Sequence, residues 1–338
     1  MHEASYYTRD EQGAVVECRL CPHHCRIQPG GRGVCRVREN KDGRLVSMVY
    51  GQPAALHADP IEKKPLFHFL PGSSAFSVAT LGCNLSCPFC QNYTLSSPGR
   101  DDPVVSSRPV PPEEIVSQAE ASGCRTLCFT YSEPTVFFEY MLDLARLAKE
   151  WDLRTTMVSN GFIEQKPLEE LAPWMDAANI DLKAFKEETY RKVLGGKLEP
   201  VLETITSMKK LGIWLEVTTL VVPEMNDSEQ ELGETAAFLA RTSENIPWHV
   251  SRFHPAKDWA GVRPTGLDKI RLALEAGRRE GLKYVYAGNV PGEPSESTIC
   301  PGCGKTVIER YGFSVGQISL DPGGLCSHCG TIIKGVFE

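Results

Sequence analysis

Seven short runs, at residues 75–80, 126–130, 155–159, 178–182, 215–222, 249–253 and 284–287, alternate with amphipathic stretches along the middle of the chain. Their near-continuous apolar character is that of parallel strands covered on both faces. The stretches between them carry helix punctuation. Residues 113–121 follow Pro111-Pro112, and 135–149 follow Pro134. Residues 228–240 open on Ser228 with Glu231 three positions later, a capping box. Residues 199–211 and 267–280 run into Gly212 and Gly281, suitable C-caps. Such repetition predicts an α/β fold, either a (β/α) barrel or an open doubly wound sheet.

Thirteen cysteines are the second constraint. A chain of 338 residues can bury a full core without disulfide staples. The cysteines moreover cluster, at Cys18/Cys21/Cys25/Cys35, Cys83/Cys87/Cys90 and Cys300/Cys303/Cys326/Cys329. Tight local groups suit metal coordination, where ligands converge within about 2.3 Å of one ion. Cys124 and Cys128 stand apart beside an apolar run and read as small core residues.

The central group follows the first apolar run directly, as Leu81-Gly82-Cys83-Asn84-Leu85-Ser86-Cys87-Pro88-Phe89-Cys90. Three thiolates at this spacing cap three irons of a cubane and leave the fourth open, unlike the four-cysteine pattern of electron carriers. An open iron is what inner-sphere chemistry requires. The motif resembles C-x3-C-x-Φ-C of the radical S-adenosylmethionine (SAM) superfamily, with Phe89 in the aromatic position near the adenine. The resemblance implies a [4Fe–4S] cluster on Cys83, Cys87 and Cys90 that cleaves SAM to a 5′-deoxyadenosyl radical. It also implies a partial (β/α)6 TIM-like barrel of the radical SAM type, with small Cys-rich metal-binding N- and C-terminal extensions.

Later strand ends extend the likeness. Thr130-Tyr131-Ser132-Glu133-Pro134 is similar to the superfamily's Gly-Gly-Glu-Pro element, with both glycines replaced. Val158-Ser159-Asn160-Gly161 resembles the Asp-Thr-Asn-Gly of glycyl-radical activating enzymes, with Val158 in place of the acid. Ile180-Asp181-Leu182-Lys183 is similar to their Leu-Asp-Leu-Lys. By this resemblance Phe89, Ser132, Glu133, Ser159, Asn160, Asp181 and Lys183 contact the cofactor. Glu216, Arg252, His254 and Tyr286 lie at later strands as candidates for facing substrate, with His254 expected to be catalytic. The N-terminal Cys18-Arg19-Leu20-Cys21-Pro22-His23-His24-Cys25 and several interior stretches resemble the AmmeMemoRadiSam system radical SAM enzymes, relatives of the pyruvate formate-lyase activating enzymes. That likeness implies Memo-like and AMMECR-like partners, and a flavodoxin or ferredoxin as low-potential electron donor.

The last group is two C-x2-C pairs about 20 residues apart, each followed by Gly. It reads as a zinc ribbon, with a rubredoxin-like iron site as the alternative, since tetrahedral S4 suits both metals. The N-terminal C-x2-C-x3-C-x9-C is read as structural zinc or an auxiliary iron–sulfur cluster, with His23 and His24 able to replace a cysteine. Three units are expected: an N-terminal Cys-rich extension (1–70), the barrel core (71–290) and a C-terminal ribbon module (291–338) beyond the linker 291–295. A net charge of −7 argues against a nucleic-acid partner, and no apolar run nears the ~20 residues of a membrane span. The polar residues 1–11 do not read as a signal peptide, so a cytoplasmic location is expected. Two function classes follow: a radical SAM enzyme abstracting hydrogen from a protein or small molecule, or a non-catalytic iron–sulfur and zinc protein that carries electrons or assembles partners.

Overall fold

The computed structural model describes residues 2–97, 108–290 and 294–338; most of the expected linker, residues 291–293, lies outside them. The organising element is an eight-stranded sheet. β1 (Ala55–Pro60) pairs antiparallel with β2 (Ser74–Ala79). All later pairings are parallel, through β3 (Thr126–Phe129), β4 (Arg154–Ser159), β5 (Ala177–Asp181), β6 (Trp214–Val221), β7 (Trp248–Arg252) and β8 (Val285–Gly288). Strands follow chain order and the sheet does not close on itself, as a partial barrel requires. The seven apolar runs are thus the parallel strands, each within a residue or two.

Helices fill the six crossovers between β2 and β8: α1 (Pro112–Ala121), α2 (Phe138–Glu150), α3 (Gln165–Leu171), α4 (Leu198–Lys210), α5 (Glu229–Thr242) and α6 (Leu267–Arg279). That is the expected (β/α)6 repeat, closed off by a seventh parallel strand. α2 shows why they pack: Phe138, Met141, Leu142, Ala145 and Ala148 are buried at helical spacing. Burying a large apolar side chain stabilises by about 1.5–3 kcal/mol. Ser228 accepts a hydrogen bond from Glu231 N at 3.3 Å, an N-cap contributing about 1 kcal/mol. Cys124 and Cys128 are core residues, as expected. Among the described residues no helix is long and apolar enough to cross a membrane.

Two small antiparallel sheets precede the barrel. One joins His2–Glu3, Arg38–Lys41 and Arg44–Ser47; the other joins Tyr7–Arg9, Val16–Cys18 and Arg26–Ile27. The buried guanidinium of Arg38 grips Glu139 of α2 at 2.8 and 2.6 Å, fastening this region to the barrel. A third sheet, of Thr298–Ile299, Thr306–Tyr311 and Ser314–Ile318, lies near the C-terminus. It is docked by a directional chain. Arg310 donates to Thr298 at 2.8 Å, Thr298 and the Tyr286 hydroxyl are 2.9 Å apart, and Tyr286 is 2.6 Å from His68 Nε2. His68 Nδ1 then meets the Lys334 carbonyl at 2.7 Å. The last contact makes Nδ1 the protonated nitrogen, so Nε2 accepts from tyrosine.

Candidate active site

The loop after β2 carries Cys83, Cys87 and Cys90, and backbone contacts fix it from several directions. Gly82 N donates to Leu95 O at 2.9 Å, Glu133 N to Gly82 O at 3.3 Å, and Ser86 N to Leu194 O at 2.8 Å. Lys257 Nζ holds the Cys87 carbonyl at 3.0 Å and Asp258 N the Pro88 carbonyl at 3.0 Å. Each sulfur of two of the cysteines has a polar neighbour. Leu85 N and Asn160 Nδ2 donate to Cys83 Sγ at 3.4 and 3.7 Å, and Ser96 Oγ is 3.1 Å from Cys90 Sγ. Burial raises the thiol pKa of Cys83, with Glu133 adding to it, and that of Cys87. Bound metal would supply the positive charge that such thiolates need.

Strand ends complete the site. Glu133, beyond β3, is buried and accepts from Thr135 N and Oγ1 at 3.0 and 2.8 Å, from Ser159 Oγ at 2.7 Å and from Asn160 N at 2.9 Å. Burial raises its pKa, and these donors oppose the rise. Tyr131 sits at φ +65°, a left-handed backbone of the kind glycine adopts without cost. Such a residue carries about 1–3 kcal/mol of strain. Its compensation is its side chain: the hydroxyl donates to Asp59, and the Lys64 ammonium lies 4.4 Å from the ring centroid. Burial would raise the Asp59 pKa, but Lys63, Lys64 and Tyr131 hold it below the usual carboxylate range. This network accounts for a tyrosine where the resembled element has glycine.

Lys183, beyond β5, pairs with Asp181 at 2.8 Å. Burial would lower its pKa, yet Asp181 and Cys87 outweigh this and raise it. Phe89 is buried, with its ring 5.3 Å from that of Trp259.

Cys83, Cys87 and Cys90 line one cleft of about 970 Å³ together with every residue expected to contact the cofactor: Phe89, Ser132, Glu133, Ser159, Asn160, Asp181 and Lys183. It opens at the C-terminal ends of the strands, where barrels of this type place chemistry. The donor set fits a cluster with one open iron: three thiols on a fixed loop, beside carboxylate, amide and ammonium groups suited to an amino-acid chelate. Thr130, Tyr131, Thr218, Leu220, Ser251 and Asn289 also line the cleft and were not singled out from sequence. Alternation along the strands is the signal that locates Thr218, Leu220 and Ser251.

The substrate candidates fare differently. His254 is exposed and does not line the cleft. β7 ends at Arg252, and its cleft-facing position is Ser251, so His254 falls on the opposite parity beyond the strand. Arg252 donates to the Thr265 carbonyl instead. Glu216 and Tyr286 are buried below the cleft. Glu216 accepts from Phe67 N, His68 N, Trp214 Nε1 and His249 Nε2 at 2.7–3.0 Å. These are structural contacts of the barrel's lower layer.

The outer cysteine groups differ from each other. Near the C-terminus, Cys300, Cys303, Cys326 and Cys329 place their sulfurs within 4.8 Å of one another. The N-terminal cysteines instead surround a cavity, and His23 and His24 turn to other partners, the Asn84 carbonyl at 2.6 Å and Glu164 at 2.8 Å.

Comparison with known proteins agrees with this geometry. The Radical SAM superfamily profile matches residues 77–239, which include the three-cysteine loop and the strand ends around it. An uncharacterized protein of Methanocaldococcus jannaschii is 44% identical over 322 residues, 95% of either chain. A second protein of that organism, provisionally named a glycyl-radical enzyme activating enzyme, is 25% identical over 166 residues, 47% of this chain and 66% of its own. Streptococcus suis SuiB bound to S-adenosylmethionine superimposes with a TM-score of 0.51 over 68% of this chain and 53% of its own; at 17% identity that likeness is one of fold. Residues 77–239 form a domain of the Radical SAM superfamily, which implies a [4Fe–4S] cluster and S-adenosylmethionine as cofactors.

Proposed function

We propose that Cys83, Cys87 and Cys90 hold the cluster of a radical SAM enzyme whose SAM-derived 5′-deoxyadenosyl radical abstracts hydrogen from a protein or small-molecule substrate. The observation that carries this is the convergence of the three thiols and four strand ends on one cleft. Asn160 and Ser96 orient the sulfurs of Cys83 and Cys90. Lys183 and Asp181 offer opposite charges to an amino-acid carboxylate and ammonium, and Phe89 an apolar wall to an adenine. Glu133 holds the ends of β3 and β4 together beside the same cleft.

A second cleft, of about 1120 Å³, supports a substrate position. It shares Ser251 and Asn289 with the first and is walled by Phe67, His249 and the C-terminal Tyr311 and Phe313, which are 77% and 54% exposed. Aromatic, accessible walls of this kind suit a peptide or other extended substrate. An activase-like role within the AmmeMemoRadiSam group draws support from the sequence motifs and from the 25% identical relative.

Zinc is our assignment for the C-terminal group. Four thiolates at about 2.3 Å from one ion stand roughly 3.8 Å apart, and the sulfur pairs Cys300–Cys329 and Cys303–Cys326 are 3.6 and 3.9 Å apart. Anaerobically reconstituted protein, given SAM and a strong reductant, should release 5′-deoxyadenosine and methionine; absence of both products from protein with a full cluster contradicts the proposal.

A further inference from the structure

We propose that Cys18, Cys21, Cys25 and Cys35 hold a second [4Fe–4S] cluster, ligated wholly by protein, that passes electrons to the site at Cys83. The first observation is spacing. The C-terminal sulfurs draw together as one tetrahedral ion requires. Among the described residues, no three of the N-terminal sulfurs come within that same 4.8 Å, although all four line one cavity. Zinc needs convergent thiolates, whereas a cubane takes one thiolate at each of four separate irons. Four thiols standing apart around a space match the cubane.

The cavity's other walls supply a second observation. Leu20, Ile27, Val34 and Val136 make them largely apolar. Arg38 also lines the cavity and is 1% exposed. Its terminal nitrogen is held by Glu139, but its Nε–H has no partner. A buried donor left unpaired is costly, and it belongs to a residue that lines the space inorganic sulfides of a cluster would fill. Val34 N already donates to Cys25 Sγ at 3.5 Å, the type of contact that stabilises cluster-bound thiolates.

Placement supplies the third. His23, between Cys21 and Cys25, meets the carbonyl of Asn84 at 2.6 Å, and Asn84 itself walls the cavity. Gly82, at φ +104°, lies against the same region: a Cβ there would come within 2.8 Å of Val37 and 3.1 Å of the Cys35 carbonyl. The residues on either side of Cys83 therefore rest on the N-terminal thiol group. On the outer side Val34, next to Cys35, is 55% exposed, so the cavity lies between the surface and the active site. A cluster capped at every iron is suited to carrying electrons. One electron from a low-potential one-electron donor of the ferredoxin or flavodoxin class reduces the outer cluster from 2+ to 1+. Passing it on reoxidises the outer cluster and reduces the central one by one electron, with no bond made or broken. The relay, unlike the cluster itself, rests on the proposed function.

Metal and sulfide analysis of the anaerobically reconstituted full chain tests the site independently of activity. Wild-type protein should hold about eight irons and about one zinc. A variant with Cys83→Ala, Cys87→Ala and Cys90→Ala should keep about four irons and about four sulfides, with a paramagnetic signal on reduction. About four irons with two zincs in the wild type, or only two irons left in the variant, overturns the second cubane. The wild-type count decides the matter even if the variant fails to fold. For the relay, Cys18→Ala with Cys35→Ala should leave about four central irons but slow their reduction by flavodoxin at least about tenfold. An unchanged rate overturns the relay, and an inactive protein that still holds about eight irons would count against the proposed function alone.

Discussion

Ser159 donates its hydroxyl to the Glu133 carboxylate at 2.7 Å, joining the ends of β4 and β3 directly beside the three-cysteine loop. Glu133 takes three further donors from Thr135 and Asn160, and Asn160 in turn reaches Cys83 Sγ. One carboxylate thus sets the position of a turn, a strand end and a thiol contact.

Glu133→Gln should therefore act twice. An amide nitrogen would face a donor where the carboxylate now accepts, and stability should drop by about 1–3 kcal/mol in denaturant unfolding. SAM affinity should fall by about tenfold or more, with cluster iron retained. Unchanged affinity with a full cluster would reduce Glu133 to a tie between strands.

Tyr131→Phe removes the hydroxyl from Asp59 and keeps the strained backbone. Charge-assisted hydrogen bonds contribute about 1.5–3 kcal/mol, so unfolding free energy should fall by about that amount. Equal stability of the two proteins would show that Lys63, Lys64 and Ser77 satisfy Asp59 without the tyrosine.

His68 gives a pH dependence. Burial lowers its pKa to about 4 from the ordinary 6.5, against the opposing charge of Glu216. Between those values the unfolded chain takes up a proton that the folded chain refuses, so stability is intact above about pH 6.5 and is lost as pH falls toward 4. Each unit in that window removes roughly 1.4 kcal/mol. The variant His68→Gln should be less stable at pH 7.5, yet lose about 1.4 kcal/mol less than wild type between pH 7.5 and 5.5. Parallel pH profiles would contradict a neutral His68.

Cys326→Ser should release about one zinc and lower the midpoint of thermal unfolding, because binding free energy at such a site is folding free energy. The iron content should not change. Stoichiometric iron at this site, with a rubredoxin-like spectrum, would reverse the zinc assignment.

The barrel was legible because its strands are buried on both faces and announce themselves as apolar runs; 215–222 needed nothing further to be read as β6. β1 escaped notice since Ala55–Pro60 carries His57 and Asp59, and its role comes from pairing with β2 and from Asp59 meeting Tyr131. The two- to four-residue N-terminal strands are too short for any period to show. At the cleft, the strand-end residues that the motifs single out all line it, whereas lining that depends on facing direction is not legible in a motif: Ser251 lines the cleft and His254, exposed and on the opposite parity, does not. Cysteine spacing likewise could not separate one convergent ion from a cluster, a difference that exists only in the distances between sulfurs.

Product analysis of the wild type beside Cys83→Ala, Cys87→Ala and Cys90→Ala, each reconstituted anaerobically and given SAM and a strong reductant, decides whether these three thiols hold the reactive cluster. Wild-type protein should form 5′-deoxyadenosine and methionine, and each variant should form neither while keeping its C-terminal zinc. Full SAM cleavage by all three variants would mean that Cys83, Cys87 and Cys90 do not hold the cluster that cleaves SAM.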